Sequence, residues 1–173
     1  GLGQNTFSKV FESSDGYLWV GSNSGLFRFD GKRFKQISSL YYNSNSPSDN
    51  SIVDFEEDNL GNLWIADDAR GLIKWKPGTR EYHLYAINIK SYESGAVTGR
   101  LINFFEDSRG NVWFKRPGGF GVYVAAKDSV ENFISSKKDT TTFPTAYAFA
   151  EDQNGRVWIS DEDGSMGYAL SSD

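Results

Sequence analysis

GNLWI at residues 61–65 is the stretch that decides the fold, because its pattern occurs four times in the 173-residue chain. Each copy has a glycine, a variable residue, an apolar residue, a tryptophan and a second apolar residue. The copies are GYLWV at 16–20, GNLWI at 61–65, GNVWF at 110–114 and GRVWI at 155–159, with successive tryptophans 45, 49 and 45 residues apart. A pattern repeated at this period indicates an architecture built from repeated supersecondary units.

Further positions align around every copy. A glutamate lies four residues before the motif glycine, an apolar residue lies six before it, and a second apolar stretch starts seven or eight residues after the tryptophan. The glutamates are Glu12, Glu57, Glu106 and Glu151, the apolar residues are Val10, Phe55, Phe104 and Phe149, and the second stretches open at Leu26, Leu72, Phe120 and Met166. The whole repeat, and not the tryptophan alone, is therefore conserved within the chain.

Each repeat contains candidate strands. Residues 52–57 alternate apolar and polar positions, as a half-buried strand does, and an Asp-x-x-Gly turn at 58–61 follows them. The tryptophan strand has three adjacent apolar residues, which predicts burial on both faces. A third strand at 72–75 and a weaker fourth at 82–86 complete this repeat. Four antiparallel strands in about 45 residues predict the blade of a β-propeller.

The composition favours an all-β fold and excludes several partners. Aromatic residues make up 16% of the chain and 18 glycines accompany them, which suits pleated strands joined by tight turns. The net charge is −5, and no basic cluster is present that would neutralise a row of phosphates, so we expect no nucleic-acid partner. No apolar run approaches the roughly 20 residues that span a bilayer, so we expect no membrane insertion of this segment.

We expect one propeller segment over residues 1–173, with blades at about 1–40, 41–88, 89–136 and 137–173. The fourth repeat ends after its third strand, and an open arc of blades would expose apolar faces. We therefore expect a larger propeller, of seven blades, whose missing blades lie on a longer parent chain. A closed four-bladed ring, or a homo-oligomer that completes the circle, is the alternative.

The first repeat resembles the two-component regulator propeller repeat, through GLGQNT at 1–6, DGYLWVG at 15–21 and GLFRFDG at 25–31. The later repeats depart from it, because glycine and threonine usually follow the Trp-apolar pair, whereas residues 66–67, 115–116 and 160–161 read AD, KR and SD. The resemblance implies the periplasmic sensor region of a hybrid two-component system. It also implies glycan breakdown products as the cue and a histidine kinase beyond the membrane.

The candidate ligand-binding residues are Arg70, Lys115 and Arg116, which we place in loops between second and third strands. In a propeller these loops share one face with the connections between blades, and ligands commonly bind there. Guanidinium and ammonium groups suit an anionic sugar, because they form charge-assisted hydrogen bonds with carboxylates. Hydrated loop charges without a ligand are the alternative interpretation.

The other chemically suggestive residues are interpreted as structural. We assign the Glu-Asp pairs to turn capping instead of catalysis, the four motif tryptophans to the core instead of sugar stacking, and the acidic stretch 161–164 to a solvated turn. His83 is the only histidine and lies in a weak outer strand. We predict no catalytic residue, no cofactor and no metal site. The leading hypothesis is a non-catalytic ligand-sensing module, and the alternatives are a propeller lyase of the streptogramin-inactivating kind and a pure scaffold.

Overall fold

The computed structural model describes residues 5–37, 52–67, 71–79, 81–85, 103–116, 119–134, 146–161 and 166–170, which form four antiparallel sheets. Blade one contains β1 (Phe7–Glu12), β2 (Leu18–Ser22), β3 (Gly25–Phe29) and β4 (Phe34–Gln36). Blade two contains β5 (Ile52–Glu57), β6 (Leu63–Asp67), β7 (Gly71–Trp75) and β8 (Tyr82–Tyr85). Blade three contains β9 (Phe104–Glu106), β10 (Val112–Arg116), β11 (Gly119–Val124) and β12 (Ser129–Ile134), with a 3₁₀ turn at Ala125–Lys127. Blade four contains β13 (Ala146–Glu151), β14 (Arg156–Asp161) and β15 (Met166–Leu170).

The predicted all-β blade architecture is confirmed. In every sheet the strands lie side by side in chain order, each antiparallel to the next, and each sheet falls within one predicted repeat. The blade boundaries and the total of seven blades stay predictions, because the boundaries lie outside the described residues. The chain divides into two compact units, Gly1–Lys90 with blades one and two, and Ser91–Asp173 with blades three and four.

The motif glycines occupy the last position of the turn that joins the first two strands of each blade. Gly16, Gly61, Gly110 and Gly155 have φ values of 82°, 75°, 78° and 75°, a left-handed conformation that a side chain disfavours. Each glycine N–H donates to the carbonyl three residues earlier, for example Gly61 N to Asp58 O at 2.9 Å. The turn therefore needs glycine at this position, and the repeat supplies it four times.

The tryptophan strands form the core of each unit. In the first unit Trp19, Phe55, Leu63 and Trp75 belong to one buried cluster, and Trp19 meets Trp75 edge-on at 5.7 Å between ring centroids. In the second unit Trp113 packs with Phe120, Val157 and Ile159. Both clusters combine side chains of two successive blades, so neighbouring blades bury each other's faces.

Gly21 permits the close approach of blades one and two. A Cβ atom on Gly21 would lie 2.7 Å from Cε1 of Phe55, well inside van der Waals contact. Phe11 packs on the same ring at 5.3 Å between centroids. The Phe55 ring therefore fills a space that exists because residue 21 has no side chain.

Four positions differ from the expected pattern of burial. Val10 is 62% exposed and Leu18 is 37% exposed on blade one, whereas their counterparts Phe55 and Leu63 on blade two are buried. On blade four, Met166 is 66% exposed and Trp158 is only partly buried. Leu18 and Trp158 are thus less buried than the three adjacent apolar residues of their strands predicted.

Replacing Trp64 by alanine tests the core assignment. Trp64 is buried, so the Trp64→Ala variant should lose about 3–5 kcal/mol of unfolding free energy through lost burial and a residual cavity. Chemical denaturation measures the loss. The control is Leu60→Ala in the adjacent turn, where the side chain is 73% exposed and the change should be within about 0.5 kcal/mol. Equal stability of the two variants would contradict the core assignment.

Candidate functional site

The loops between second and third strands lie at one end of each blade, where we predict ligand binding. Because the strands are antiparallel and sequential, the connection to the next blade leaves from this same end. The Asp-x-x-Gly turns lie at the opposite end. We call these the loop end and the turn end.

At the loop end of blade one, neutral polar groups hold the turn between β2 and β3. The Ser22 hydroxyl donates to the Gly25 carbonyl at 3.0 Å and accepts from the Ser24 N–H at 3.1 Å. The Gln36 amide donates to the Ser24 carbonyl at 2.7 Å, and the Thr6 N–H donates to Asn23 Oδ1 at 3.1 Å. The turn is thereby tied to the strand lead-in and to the outer strand, so its shape is fixed in advance of any ligand.

Lys115 and Arg116 lie in strand β10 and not in the loop, which corrects their expected placement. Lys115 pairs with Phe120, and Arg116 pairs with Gly119, so the hairpin continues to the very end of both strands. Regular cross-strand hydrogen bonding extends further than the apolar pattern indicated, because charged residues are tolerated at the exposed end of a strand. Lys115 is half-buried and has an interaction partner.

An aromatic pair lies beside Lys115. Phe120 is directly opposite Lys115, and Phe133 of β12 is directly opposite Phe120. The Phe120 and Phe133 rings stack at 4.8 Å between centroids, and Phe133 is 41% exposed. The loop end of blade three therefore places a lysine and an accessible aromatic residue in one row of cross-strand pairs.

The other residues predicted in these loops are either buried or not described by the structure. Asp67, which we expected in the second loop, is fully buried at the end of β6 and has an interaction partner. Arg70 lies outside the described residues, as do residues 162–165 of the fourth loop, and the side chain of Arg116 is not described. Of the three predicted binding residues, the structure places only the Lys115 side chain.

The aspartates of the Glu-Asp pairs cap the turns, as predicted. Asp58 Oδ1 accepts from the Leu60 and Asn62 N–H groups at 3.0 and 2.8 Å, and its Oδ2 accepts from the Trp64 indole at 2.9 Å. Asp107 and Asp152 hold Trp113 and Trp158 in the same way, each at 2.9 Å. In blade one the Ser13 hydroxyl replaces the carboxylate and accepts from the Trp19 indole at 2.9 Å. These carboxylates are engaged by the turn and not arranged as a catalytic pair.

Two of the glutamates, Glu57 and Glu151, have a role that the sequence reasoning missed, because each joins two blades. Glu57 of blade two accepts from the N–H and the hydroxyl of Ser14 in the turn of blade one, at 2.7 and 2.8 Å. Glu151 accepts in the same manner from Ser108 in the turn of blade three, at 2.7 and 2.6 Å. The donor and acceptor residues are 43 positions apart in both cases. The invariant position of the glutamate in every repeat was the available signal.

An ion cluster connects the inner strands of blades one and two. Lys9 of β1 lies 3.3 Å from Asp54 of β5 and forms a shorter ion pair with Glu56. Burial of the Lys9 ammonium is the largest influence and opposes its ionisation, but the hydrogen bonds and charges of Glu56 and Asp54 together raise the pKa of Lys9. Burial raises the pKa of Asp54 by more than the nearby ammonium lowers it. The cluster ties β1 of blade one to β5 of blade two.

His83 lies in outer strand β8, as predicted. It is exposed, and its ring stacks on that of Tyr85 at 4.4 Å between centroids. In the part of the chain that the structure describes, no group of three or more His, Cys, Asp or Glu side chains is placed to hold a metal ion. No described helix has the length and hydropathy required to cross a bilayer.

A known family model matches the first 24 residues of the chain. The model of the family described as two component regulator propeller matches residues 1–24, which include β1 and β2. The first repeat matches the two component regulator propeller family. The resemblance recognised from the lead-in and from the first tryptophan motif is therefore confirmed over these residues.

Similar proteins share part of this chain or its fold. Histidine kinase P4 of Formosa agariphila is 34% identical over 77 residues, which are 42% of this chain and 6% of that protein. The extracellular domain of BT3049 from B. thetaiotaomicron, described as a hybrid two component system, superposes with a TM-score of 0.66 and 20% identity. The superposition covers 99% of this chain and 22% of the BT3049 domain. A catalytically inactive virginiamycin B lyase from Staphylococcus aureus superposes with a TM-score of 0.59 and 14% identity, over 96% of this chain and 56% of its own.

These similarities establish the β-propeller fold for the chain. At 20% and 14% identity, the two solved structures are informative about architecture alone. The fold is shared by the extracellular domain of a hybrid two component system and by a lyase, so it does not select between binding and catalysis. The chain spans only a small part of the length of the histidine kinase and of that extracellular domain.

A double-mutant cycle tests the joint between Ser14 and Glu57. Glu57→Gln should cost about 1 kcal/mol of unfolding free energy, because a charge-assisted acceptor for two hydrogen bonds is lost. Combined with Ser14→Ala, the loss should be smaller than the sum of the single losses, since the two groups act together. The control cycle pairs Ser14→Ala with Glu81→Gln, an exposed glutamate just before β8, and should be additive. Additivity in both cycles would refute the joint.

The acid stability of the second unit should depend on Asp152. The hydrogen bond from the Trp158 indole, with those from the Arg156 and Asn154 N–H groups, lowers the pKa of Asp152 from 3.8 to about 2. The folded pKa is below the unfolded one, so the contribution is fully present above about pH 4 and disappears as the pH falls toward 2. Denaturant titrations between pH 7 and pH 2 should show this loss, and Asp152→Asn should remove that part of it. Glu81→Gln should retain the loss, and an identical acid profile for Asp152→Asn would contradict the assignment.

Proposed function

We propose that the chain is a ligand-sensing propeller segment from the extracytoplasmic part of a two-component-type sensor, and that it is not itself catalytic. The observation that carries this proposal is the match of the first repeat to the two component regulator propeller family. The similarity over 77 residues to a histidine kinase adds independent support. A periplasmic location follows from the same proposal, since a sensor of this class receives its cue outside the cytoplasm.

The proposed cue is an oligosaccharide that carries carboxylates. Lys115 and Phe133 lie at the loop end of blade three, in one row of cross-strand pairs with Phe120 between them, and the Phe133 ring is accessible. A sugar acid has an apolar C–H face that packs on an aromatic ring and a carboxylate that accepts from an ammonium or guanidinium group. Arg116 follows Lys115 in the chain, and we include both residues in the proposed binding site on blade three. Arg70, which the sequence predicts in the corresponding loop of blade two, is proposed as a separate binding residue for the same class of ligand.

Catalysis by this chain has weaker support than binding. The turn aspartates are occupied by backbone and indole donors, and Asp54 and Glu56 are paired with Lys9. His83 stacks on Tyr85 in an outer strand. A lyase with this fold is known, but its likeness to the chain is one of architecture. We therefore favour a binding module over a lyase.

Calorimetric titration with an acidic oligosaccharide tests the binding site. Lys115→Ala should weaken binding of an oligogalacturonate about tenfold, which is the usual effect of one lost charge-assisted hydrogen bond. The matched control is Lys127→Ala. Lys127 is on the same blade but at its turn end, where it pairs with Glu131 at 2.9 Å, so its removal should leave the affinity unchanged. A neutral oligosaccharide of equal length should bind more weakly than the acidic one.

Two outcomes would count against the proposed site. Equal losses in Lys115→Ala and Lys127→Ala would indicate attraction by overall charge without a site at the loop end. Equal affinity for neutral and acidic sugars would remove the role of the basic residues. Conversion of the sugar during the titration would contradict the non-catalytic assignment.

A further inference from the structure

One row of cross-strand pairs in blade one places two cations directly opposite each other. Arg28 of β3 pairs with Trp19 of β2 on one side and with Lys35 of β4 on the other. Side chains that are directly opposite in antiparallel strands share a face of the sheet, with Cβ atoms about 5 Å apart. Trp19 belongs to the cluster buried between blades one and two, so Arg28 and Lys35 lie on the face directed toward blade two. A blade preceding blade one would not cover this face.

The Arg28 guanidinium is held on two aromatic rings. Its Cζ lies 4.2 Å from the centroid of the Tyr17 ring and 5.9 Å from that of the Trp19 ring. Trp19 is fully buried, and Tyr17 is half-buried against the same cluster. A guanidinium packs on a ring through its flat face and keeps its N–H donors at its edge. The rings therefore fix the position of these donors without using them.

The polar groups of this row are free among the residues that the structure describes. Neither the Arg28 guanidinium, the Tyr17 hydroxyl nor the Lys35 ammonium forms a hydrogen bond or an ion pair there. The acid of the hairpin, Asp30, accepts from two backbone N–H groups of its own turn, each at 2.9 Å. Like charges directly opposite each other destabilise a sheet, so the row lacks a compensation that an external anion can supply.

The pair of cations is peculiar to blade one among the rows that the structure describes. The corresponding rows are Trp64, Lys74 and His83 in blade two and Trp113, Val122 and Glu131 in blade three. A histidine takes the outer position in one blade and an acid takes it in the other. The repeat therefore does not require two cations here, and building a blade does not account for them.

We propose that the row of Arg28 and Lys35 binds neighbouring carboxylates of an acidic polypeptide segment. One carboxylate accepts from the edge of the Arg28 guanidinium and from the Tyr17 hydroxyl, and the next accepts from the Lys35 ammonium. Two cations suffice for two carboxylates, whereas they are too few to neutralise a row of phosphates. The row includes none of the residues of the proposed sensing site, so the two proposals can fail separately.

The aromatic rings favour a polypeptide over an acidic sugar. A sugar ring packs its C–H face on an accessible aromatic ring. Here the guanidinium covers one face of the Tyr17 ring, and Trp19 is fully buried. The row therefore offers its charges and its hydroxyl donor, but no open ring on which a sugar can pack.

Fluorescence anisotropy of a labelled oligoglutamate peptide, titrated with the 173-residue chain, tests the proposal. Arg28→Ala and Lys35→Ala should each weaken binding about tenfold, the usual effect of one lost charge-assisted hydrogen bond. Arg28→Lys should weaken it as well, because lysine keeps the charge but lacks the planar fork. The matched control is Arg109→Ala. Arg109 is exposed in the turn of blade three, and its side chain has no ring contact or ion pair within the described residues, so the affinity should be unchanged.

Two further measurements keep the result interpretable. Arg28 packs on Trp19, so circular dichroism must show that its variants retain the β-sheet fold. Lys35→Ala removes only an exposed side chain and should leave the fold unchanged, so it tests binding by itself. In competition, an oligoglutamine peptide of equal length should not displace the labelled peptide. An oligogalacturonate of equal charge should displace it less well than unlabelled oligoglutamate does.

Three results would overturn the proposal. The first is an unaltered chain that does not bind oligoglutamate. The second is an equal loss in Lys35→Ala and Arg109→Ala, which would indicate attraction by overall charge. The third is stronger displacement by the oligogalacturonate, which would assign the row to an acidic saccharide. Loss of peptide binding in Lys115→Ala but not in Lys35→Ala would likewise exclude the row and place the peptide at the loop end of blade three.

Discussion

The hydrogen bond from the motif tryptophan to the turn carboxylate is the interaction on which each blade depends. An indole N–H that is buried without a partner would cost free energy, and the aspartate six residues earlier removes that cost. The same carboxylate binds the backbone of the turn, so one side chain sets the hairpin and the position of the largest core residue together. Blade one reaches the same result through Ser13, whose hydroxyl is in turn bonded to Asp15. A hydrogen-bond acceptor for the tryptophan indole is therefore retained in the turn of blade one although the residue changes.

The blades are linked at both the polar turn end and the apolar middle. Hydrophobic packing between Trp19, Phe55 and Leu63 does not fix how far one blade is shifted along the strands of the other, since apolar contact is non-directional. The paired hydrogen bonds from Ser14 to Glu57 fix this shift. The ion cluster of Lys9 with Asp54 and Glu56 adds a second polar tie on the inner strands. The contact of the two blades therefore has a fixed register as well as a buried apolar cluster.

Sequence alone predicted the parts of the fold that recur. The turn glycines, the capping aspartates and the burial of Trp19, Trp64 and Trp113 follow from patterns that repeat four times or nearly so. The function of Glu57 was not predicted, because its partner Ser14 belongs to another blade and a linear pattern does not show which blades touch. Leu18 and Trp158 fit the motif as well as their counterparts do, but their exposure depends on neighbours that the motif does not describe. The candidate site was only partly predictable, since Lys115 has the right chemistry but belongs to a strand end instead of a loop.

The separation of 43 residues between donor and acceptor, which is the same between blades one and two and between blades three and four, has a consequence for how such a chain grows. Every repeat carries a glutamate at the acceptor position, and the glutamates of blades two and four bind the turn of the blade before them. Duplication of one repeat at the level of the gene therefore creates a new blade and a complete new joint in a single step, with no compensating mutation. Deletion of one repeat brings an intact donor to an intact acceptor in the same way. The number of blades can thus vary during evolution while the chemistry at each joint remains the same.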